Sequence, residues 1–255
     1  MKILDVKGIT KEFDGIKALR DVSFSLEKGT ITALIGPNGA GKTTLLNILS
    51  GFLRPEKGEA YFRNKKITAL PPFKIAKMGI ARTFQNTRLF LQITVLENVL
   101  LAMRYENGEN LKDVIFKRNR VLKEDREKVE QAMEFLEFVG LAEKRDELAE
   151  NLSYGQRKLL ELARALATRA ELFLLDEPLA GVFPETKKKI MQLMEEMKSK
   201  GMTILFIEHI IGIVADISDR VVVLKHGEKI ADGIPSEVFS DKRVIEAYLG
   251  GEYDT

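Results

Sequence analysis

The feature that most constrains this chain is a glycine-rich stretch of nine residues between two apolar segments. The stretch spans residues 36–44 and reads Gly-Pro-Asn-Gly-Ala-Gly-Lys-Thr-Thr, which fits the pattern G-x-x-x-x-G-K-[ST]. Residues 31–35 before it form an apolar run typical of a buried strand, and residues 44–49 after it predict a helix. The sequence therefore predicts a strand, a tight loop and a helix in direct succession, as in α/β folds.

The residue types in this loop suit the binding of phosphate groups. Glycines let the backbone curl so that successive N–H groups point at phosphate oxygens, and the helix N-terminus adds a positive dipole end. Lys42 would reach the β- and γ-phosphates, and the Thr43 hydroxyl would take one position on Mg²⁺. The alternative is an ordinary glycine-rich turn, which does not need Lys-Thr after the last glycine. We expect the chain to bind a nucleoside triphosphate.

Composition excludes several classes of protein. The chain has 255 residues, and 40 basic against 38 acidic residues leave a net charge of +2. Because the charges are interspersed, we expect no nucleic-acid partner. The absence of cysteine excludes disulfides and thiolate catalysis. The most apolar segment, residues 203–217, is shorter than the roughly 20 residues of a membrane span and contains Glu208 and His209.

Hydrophobic periodicity divides the chain into three parts. Residues 1–35 alternate as strands do, and apolar strand patterns return at residues 172–175 and 203–207 with a helical segment between them. The middle part of the chain is mostly helical, with one predicted apolar face made of Val129, Ala132, Met133, Leu136 and Val139. We predict a single α/β domain that has a P-loop NTPase core with a mostly parallel sheet, an N-terminal antiparallel β subdomain and an inserted helical lobe. Its predicted parts are a core of residues 1–85 and 153–255 and a lobe of residues 86–152.

Two carboxylates follow the apolar run at residues 172–175, namely Asp176 and Glu177. The carboxyl end of a buried parallel strand is where open α/β sheets place ligands. Here we expect Asp176 to hold Mg²⁺ through water, and Glu177 to orient or deprotonate the attacking water. Taken alone, an apolar run followed by Asp-Glu is also typical of a strand end that meets solvent.

Three further features follow one another along the chain: Gln85 precedes the helical region, Leu-Ser-Tyr-Gly-Gln at residues 152–156 opens a helix, and His209 follows the apolar strand at residues 203–207. In this order and with the loop and the Asp-Glu pair, the sequence closely resembles the ABC-type ATPases, along nearly the whole chain. The resemblance implies ATP and Mg²⁺ as cofactors and adds Gln85 and His209 to Glu177 as catalytic residues. It also implies metal ligands at Thr43, Gln85 and Asp176. The implied nucleotide-binding residues are Phe13, Gly36, Pro37, Asn38, Gly39, Ala40, Gly41, Lys42, Thr43, Thr44, Ser153, Gly155 and Gln156.

Some of these roles have plain alternatives, and two positions depart from the family pattern. Phe13 would stack on adenine, but it also fits an ordinary strand aromatic, and His209 also fits a surface or core histidine at a strand end. Tyr154 replaces the glycine of the family signature Leu-Ser-Gly-Gly-Gln. Phe183 replaces an aspartate that helps couple two subunits, which puts the usual hydrogen bonds across the dimer in doubt.

Several segments resemble one branch of the family, the ATPase subunits of branched-chain amino acid importers. They are residues 81–85, 89–90, 94–98, 152–156, 177–181 and 244–250. This resemblance implies a second ATPase subunit, identical or paralogous, with membrane permease subunits and, indirectly, an extracytoplasmic solute-binding protein. It places the chain in the cytoplasm, peripheral on the inner face of the cell membrane. The alternatives are a urea or amide importer, a lipopolysaccharide exporter, or a soluble ATPase of this type that is not linked to transport.

Overall fold

The computed structural model describes residues 1–85, 87–103 and 118–249, with the backbone alone for residues 118–124 and 249. The chain forms two compact units. The first contains Met1–Gln85, Glu171–Ala180 and Lys189–Thr255, and the second contains Asn86–Ala170 and Gly181–Lys188. The assignment of these regions to a catalytic core and an inserted lobe stays a prediction.

The first unit is built around a six-stranded sheet in the order β10-β9-β3-β8-β7-β6. All of its strand pairs are parallel except the hairpin of β9 and β10. Three of its four interior strands, β3, β7 and β8, are buried along their whole length, as expected for strands covered on both faces. The strands are β3 (Ile31–Ile35), β6 (Ile80–Arg82), β7 (Leu172–Asp176), β8 (Thr203–Ile207), β9 (Arg220–Lys225) and β10 (Glu228–Gly233).

A second sheet of the same unit is antiparallel, in the order β2-β1-β4-β5. The period-2 pattern predicts a half-buried strand here, and Val22, Phe24 and Leu26 are indeed buried. The strands are β1 (Lys2–Phe13), β2 (Ile16–Glu27), β4 (Lys57–Phe62) and β5 (Lys65–Lys66). The parallel sheet and this antiparallel sheet together confirm the predicted fold class.

Helices connect the strands of both sheets and continue through the second unit. The bounds are α1 (Lys42–Leu49), α2 (Pro72–Met78), α3 (Val95–Leu100), α4 (Arg118–Val139), α5 (Tyr154–Ala167), α6 (Pro184–Ser199), α7 (Ile211–Ile217), α8 (Pro235–Val238) and α9 (Lys242–Leu249), with 3-10 turns at Ala142–Lys144 and Ala149–Asn151. Within residues 1–85, 87–103 and 118–249, no helix combines the length and apolar composition that crossing a bilayer requires.

One predicted core position in α4 is wrong. Val129 is 36% exposed, whereas the neighbouring Lys128 is only 6% exposed. Ala132, Leu136 and Val139 are buried as predicted. Both neighbours lie within about one turn of Ala132, because Val129 is three residues before it and Lys128 four. The helical period alone therefore does not decide whether Lys128 or Val129 is buried by neighbouring elements.

Candidate functional site

The glycine loop follows β3, and α1 begins directly after it at Lys42. Gly36, Gly39 and Gly41 have φ angles of 146°, 76° and 98°, which side-chain-bearing residues rarely adopt. A Cβ atom at Gly36 would lie 2.0 Å from the Leu224 carbonyl oxygen, and one at Gly41 would lie 2.4 Å from the Ala18 carbonyl oxygen. Glycine is therefore required at positions 36 and 41 both by the positive φ angle and by the close approach of neighbouring backbone atoms.

We predict that Gly36→Ala destabilises the chain much more than Gly39→Ala. Both changes place a Cβ in an unfavourable backbone conformation, which costs about 1–2 kcal/mol. Only Gly36 also meets backbone atoms, since nothing lies within 4 Å of a Cβ at Gly39, and such overpacking adds roughly 1–3 kcal/mol. Urea unfolding would measure the two free energies of unfolding. Equal losses would show that the clash at Gly36 is relieved by movement of the neighbouring strand.

Lys42 extends back over the loop that precedes it. Its Nζ donates hydrogen bonds to the carbonyl oxygens of Gly36 at 2.8 Å and Pro37 at 2.9 Å. Burial lowers the pKa of Lys42, and the charges of Glu177 and Asp176 act in the opposite direction. The Lys42 ammonium therefore lies at the loop, where oxygen atoms of an anion could accept its hydrogen bonds in place of the two carbonyl oxygens.

The two carboxylates at the end of β7 occupy different environments. Asp176 ends the strand and is buried, and its backbone N–H donates to the Thr83 hydroxyl at 3.3 Å. Glu177 follows the strand with a φ of 50°. A residue other than glycine rarely adopts this conformation, and such outliers are concentrated at functional sites. The two carboxylates therefore differ in exposure: Asp176 is buried, whereas Glu177 is partly exposed.

Gln85 and His209 both contact the Glu177 carboxylate. The Gln85 Nε2 donates to Oε2 of Glu177 at 3.0 Å, and Nε2 of His209 lies 2.8 Å from Oε1. The His209 backbone N–H in turn donates to the carboxylate of Glu208, which is buried. Gln85 and His209 are 92 and 32 positions from Glu177 along the chain, yet both meet it at one carboxylate. This arrangement can fix the direction of the Glu177 side chain.

Sequence reasoning missed one side chain of this site. Arg82 belongs to the segment around Gln85, and its guanidinium pairs with Asp176, with 3.3 Å between Nη2 and Oδ2. Both side chains are almost fully buried, at 6% and 3% exposure. An arginine within a strand pattern carries no local signal for such a pair, because the partner lies 94 residues further along the chain.

The oxygen donors at this site fit a hard divalent cation. Thr43 is exposed at the start of α1, and the Asp176 carboxylate and the Gln85 side-chain amide supply further oxygen atoms. Magnesium prefers oxygen ligands and is usually bound by one or two protein groups together with phosphates and water. Within the described residues no group of three or more His, Cys, Asp or Glu side chains could hold a metal by itself. The donor set is therefore compatible with a metal that arrives with a nucleotide.

Phe13, at the end of β1, is exposed, as the stacking role requires. The Lys11 ammonium lies 5.0 Å from the centre of its ring. An exposed aromatic ring on a strand end can stack on a planar base, and its present neighbour shows that it can also hold a cation. No contact among the described residues distinguishes an adenine platform from a surface aromatic, so the role of Phe13 stays a prediction.

In the second unit, Ser153 caps α5. Its Oγ accepts from the Gln156 backbone N–H at 3.3 Å, and Oε1 of Gln156 accepts from the Ser153 backbone N–H at 2.9 Å, which forms a capping box. Gly155 lies close to Thr186, because a Cβ added at Gly155 would be 3.1 Å from the Thr186 Oγ1 atom. The predicted nucleotide contacts of Ser153, Gly155 and Gln156 stay predictions, as do those of the loop residues.

The two departures from the family pattern are both exposed. The Tyr154 ring lies in the same unit as Gly181, and a Cβ at Gly181 would be 3.2 Å from its Cε1 atom. Phe183 is 80% exposed. An aromatic ring of this size offers apolar area but no hydrogen bond, so it cannot replace the carboxylate that the family pattern has at this position.

Comparisons with known proteins identify the class of protein. Residues 19–180 match the family described as "ABC transporter", so the chain belongs to that family. The chain is accordingly an ATP-hydrolysing cassette of an ABC transporter. Residues 228–254 also match the family described as "Branched-chain amino acid ATP-binding cassette transporter", which gives the branch.

Full-length relatives agree with this assignment. The chain is 43% identical over 252 residues to a probable branched-chain amino acid transport ATP-binding protein LivG of Archaeoglobus fulgidus, with 99% of this chain and 97% of the relative covered. It is 40% identical over 249 residues to the high-affinity branched-chain amino acid transport ATP-binding protein BraF of Pseudomonas aeruginosa, with 97% and 98% covered. The resemblance deduced from the motifs is thereby confirmed.

Solved structures of similar chains confirm the fold. A nucleotide-free ATP-binding cassette from an ABC transporter is 40% identical, with a TM-score of 0.85 and coverage of 97% of this chain and 99% of that one. A dimeric cassette in a post-hydrolysis state with ADP and phosphate is 28% identical, with a TM-score of 0.76 and coverage of 91% and 99%. Cassettes of this fold are thus known both without nucleotide and as dimers.

Proposed function

We propose that this chain is the ATPase subunit that energises import of branched-chain amino acids. The observation that carries the ATPase part of the proposal is the Glu177 carboxylate, which lies at the carboxyl end of β7 between Gln85 and His209. The names of its relatives and the family match of residues 228–254 favour branched-chain amino acids as the solute. The import direction and the solute rest on that similarity, since the cassette itself touches no transported solute.

The proposed chemistry is mainly positioning and charge stabilisation. The loop amides and Lys42 would hold the β- and γ-phosphates, and Glu177 would orient or deprotonate the attacking water. His209 and Gln85 would keep the Glu177 carboxylate directed at that water. Mg²⁺, when bound, would neutralise charge on the phosphates, with Thr43, Asp176 and Gln85 as its protein ligands.

We further propose that two cassettes sandwich two ATP molecules head to tail. The helix N-terminus at Ser153 would address the γ-phosphate of the nucleotide held by the other subunit, because backbone N–H groups at a helix start favour anions. ATP would favour the closed pair, and loss of the γ-phosphate contacts on hydrolysis would let it reopen. The partner cassette is either a second copy or a paralogue.

The proposed permease contact lies in the segment that follows Gln85. Phe90 is 54% exposed although its backbone is fixed: its N–H donates to Asn98 at 3.0 Å, and its carbonyl accepts from Asn98 at 2.9 Å. The Arg164 guanidinium lies 5.3 Å from the Phe90 ring. A rigidly held, exposed aromatic ring is a typical interface anchor. Leu91 beside it is exposed as well.

We predict that Phe90→Asp uncouples transport from ATP turnover. The charge would prevent burial of this position against an apolar permease segment, while the loop and the carboxylates stay intact. The measurement is the stimulation of ATPase activity by the permease in proteoliposomes. It should fall by roughly tenfold or more, because loss of an interface anchor costs about 2 kcal/mol. Basal activity of the isolated chain should not change. Phe73→Asp, at another exposed aromatic, serves as the control. Full stimulation of the Phe90 variant would exclude this contact.

The solute is tested by reconstitution with permease subunits and the solute-binding protein. Leucine, isoleucine or valine should raise ATP turnover, and urea should not. Stimulation by urea alone would contradict the proposed solute but leave the ATPase assignment unaffected. Recovery of the chain with the membrane fraction only when permease subunits are present would support its peripheral location on the cytoplasmic face.

A further inference from the structure

Arg82, the last residue of β6, has a buried guanidinium that contacts two other elements of the same unit. Its Nη1 donates to Oδ1 of Asn47 and to Oγ of Ser50, both at 2.7 Å. Its Nη2 donates to Oδ2 of Asp176 at 3.3 Å. One planar cation thus joins the helix that follows the glycine loop to the strand that carries the carboxylates.

The groups joined in this way belong to the segments that carry the three proposed metal ligands. Asn47 lies four residues after Thr43 in α1, so both side chains are on one face of the helix. Asp176 is itself a proposed ligand, and Gln85 follows Arg82 by three residues. The Arg82 contacts therefore connect Asp176 to the helix that carries Thr43.

We propose that Arg82 is a positioning residue for the magnesium site, holding the Asp176 carboxylate in register with Thr43. This inference rests on the proposed function, in which Thr43 and Asp176 bind the metal. Groups that hold metal ligands in place are a general requirement of metal sites, and their loss typically weakens metal affinity about 10–100-fold. Arg82 would act through Asp176 and would not touch the metal or the nucleotide.

Two aromatic rings pack against the Arg82 guanidinium. Its Cζ atom lies 4.9 Å from the centre of the Phe84 ring and 5.7 Å from that of Phe52. The two rings meet edge to face at 5.5 Å. Because a guanidinium combines stacking on rings with a fixed fork of donors, lysine cannot reproduce these contacts. The pair of Arg82 and Asp176 is therefore buried and packed against aromatic rings, unlike a surface ion pair.

The experiment measures how strongly nucleotide binding depends on magnesium in the full-length chain. Calorimetric titration with a β,γ-imido ATP analogue would be done in EDTA and over a series of Mg²⁺ concentrations. For Arg82→Met we expect affinity in EDTA to stay within about twofold of wild type, because the loop amides and Lys42 are intact. The Mg²⁺ concentration needed for half of the metal-dependent gain in affinity should rise about 10–100-fold. The paramagnetic resonance spectrum of Mn²⁺ bound with the analogue should change as well.

Arg63→Met is the matched control. Arg63 also pairs with a carboxylate, Glu171, and its Cζ atom lies 4.9 Å from the Phe62 ring. Glu171 precedes the opposite end of β7 from Asp176, so this variant removes a similar contact away from the proposed site. It should leave the Mg²⁺ requirement unchanged. Should Arg82→Met not fold, Asn47→Ala decides, because it removes one of the two hydrogen bonds from Arg82 to α1 and its cap residue Ser50 and leaves the pair with Asp176. Its Mg²⁺ requirement should rise severalfold.

An unchanged Mg²⁺ requirement in a folded Arg82→Met chain, or in Asn47→Ala if that variant must decide, would overturn the proposal. Equal loss of affinity with and without Mg²⁺ would also overturn it, since that result indicates a general structural role. Failure of the wild-type chain to bind the analogue under any condition would instead contradict the proposed function. The two failures are therefore distinguishable.

Discussion

Glu177→Gln is expected to bind ATP as wild type does and to hydrolyse it about 10²–10⁴-fold more slowly. The change removes the negative charge and the proton-accepting capacity of the side chain but keeps its size. Glutamine can still contact Gln85 and His209, which lie 3.0 and 2.8 Å from the carboxylate oxygens. The loop and Lys42 are untouched, so the affinity for ATP should persist. With hydrolysis blocked, the chain should accumulate as a closed dimer.

Single-turnover kinetics and size-exclusion chromatography with ATP would measure both effects. Glu171→Gln is the control, because this residue precedes the opposite end of β7 and pairs with Lys28 at 3.3 Å. It should leave both turnover and oligomeric state unchanged. Turnover of Glu177→Gln at the wild-type rate would remove Glu177 from the mechanism, and His209 would then be the next candidate for the base.

Lys42→Ala is expected to lose nucleotide affinity by roughly 10²-fold or more. A hydrogen bond to a charged group contributes about 1.5–3 kcal/mol, and the ammonium is proposed to contact oxygens of two phosphates. Nζ contacts two carbonyl oxygens of the glycine loop, so the positive charge lies beside the loop that is proposed to bind the phosphates. Alanine removes this charge while the glycine backbone and α1 remain.

Calorimetric titration with ATP would measure this loss. Lys28→Ala provides the comparison, since Lys28 is a half-exposed lysine of the same unit that pairs with Glu171. It should bind ATP normally. Tight ATP binding by a folded Lys42→Ala chain would contradict the assignment of the glycine loop as the phosphate site.

Much of the fold was predictable because its signals are local. The glycine loop can be identified from the sequence because its backbone geometry requires glycine at particular positions. At Gly36 and Gly41 a side chain would collide with neighbouring backbone atoms. The apolar runs at residues 172–175 and 203–207 predict buried parallel strands, and both are buried throughout. The alternation at Val22, Phe24 and Leu26 likewise predicts one buried face. In each case the pattern repeats within a few residues.

Features that depend on distant contacts were not predictable in the same way. The pair of Arg82 and Asp176 joins residues 94 positions apart, and neither neighbourhood indicates the other. The choice between Lys128 and Val129 as the buried position depends on which elements cover that side of α4. The order of Gln85, Glu177 and His209 along the chain agrees with a family pattern, but their meeting at one carboxylate is visible only in the structure.

The most direct test of the account is a crystal structure of Glu177→Gln with ATP and Mg²⁺. We expect the triphosphate to lie in the loop of residues 36–44, with Lys42 at the β- and γ-phosphates and Ser153 of a second cassette at the γ-phosphate. A triphosphate bound elsewhere, or a loop without phosphate at saturating ATP, would contradict the central claim that this loop and a second cassette together enclose the nucleotide.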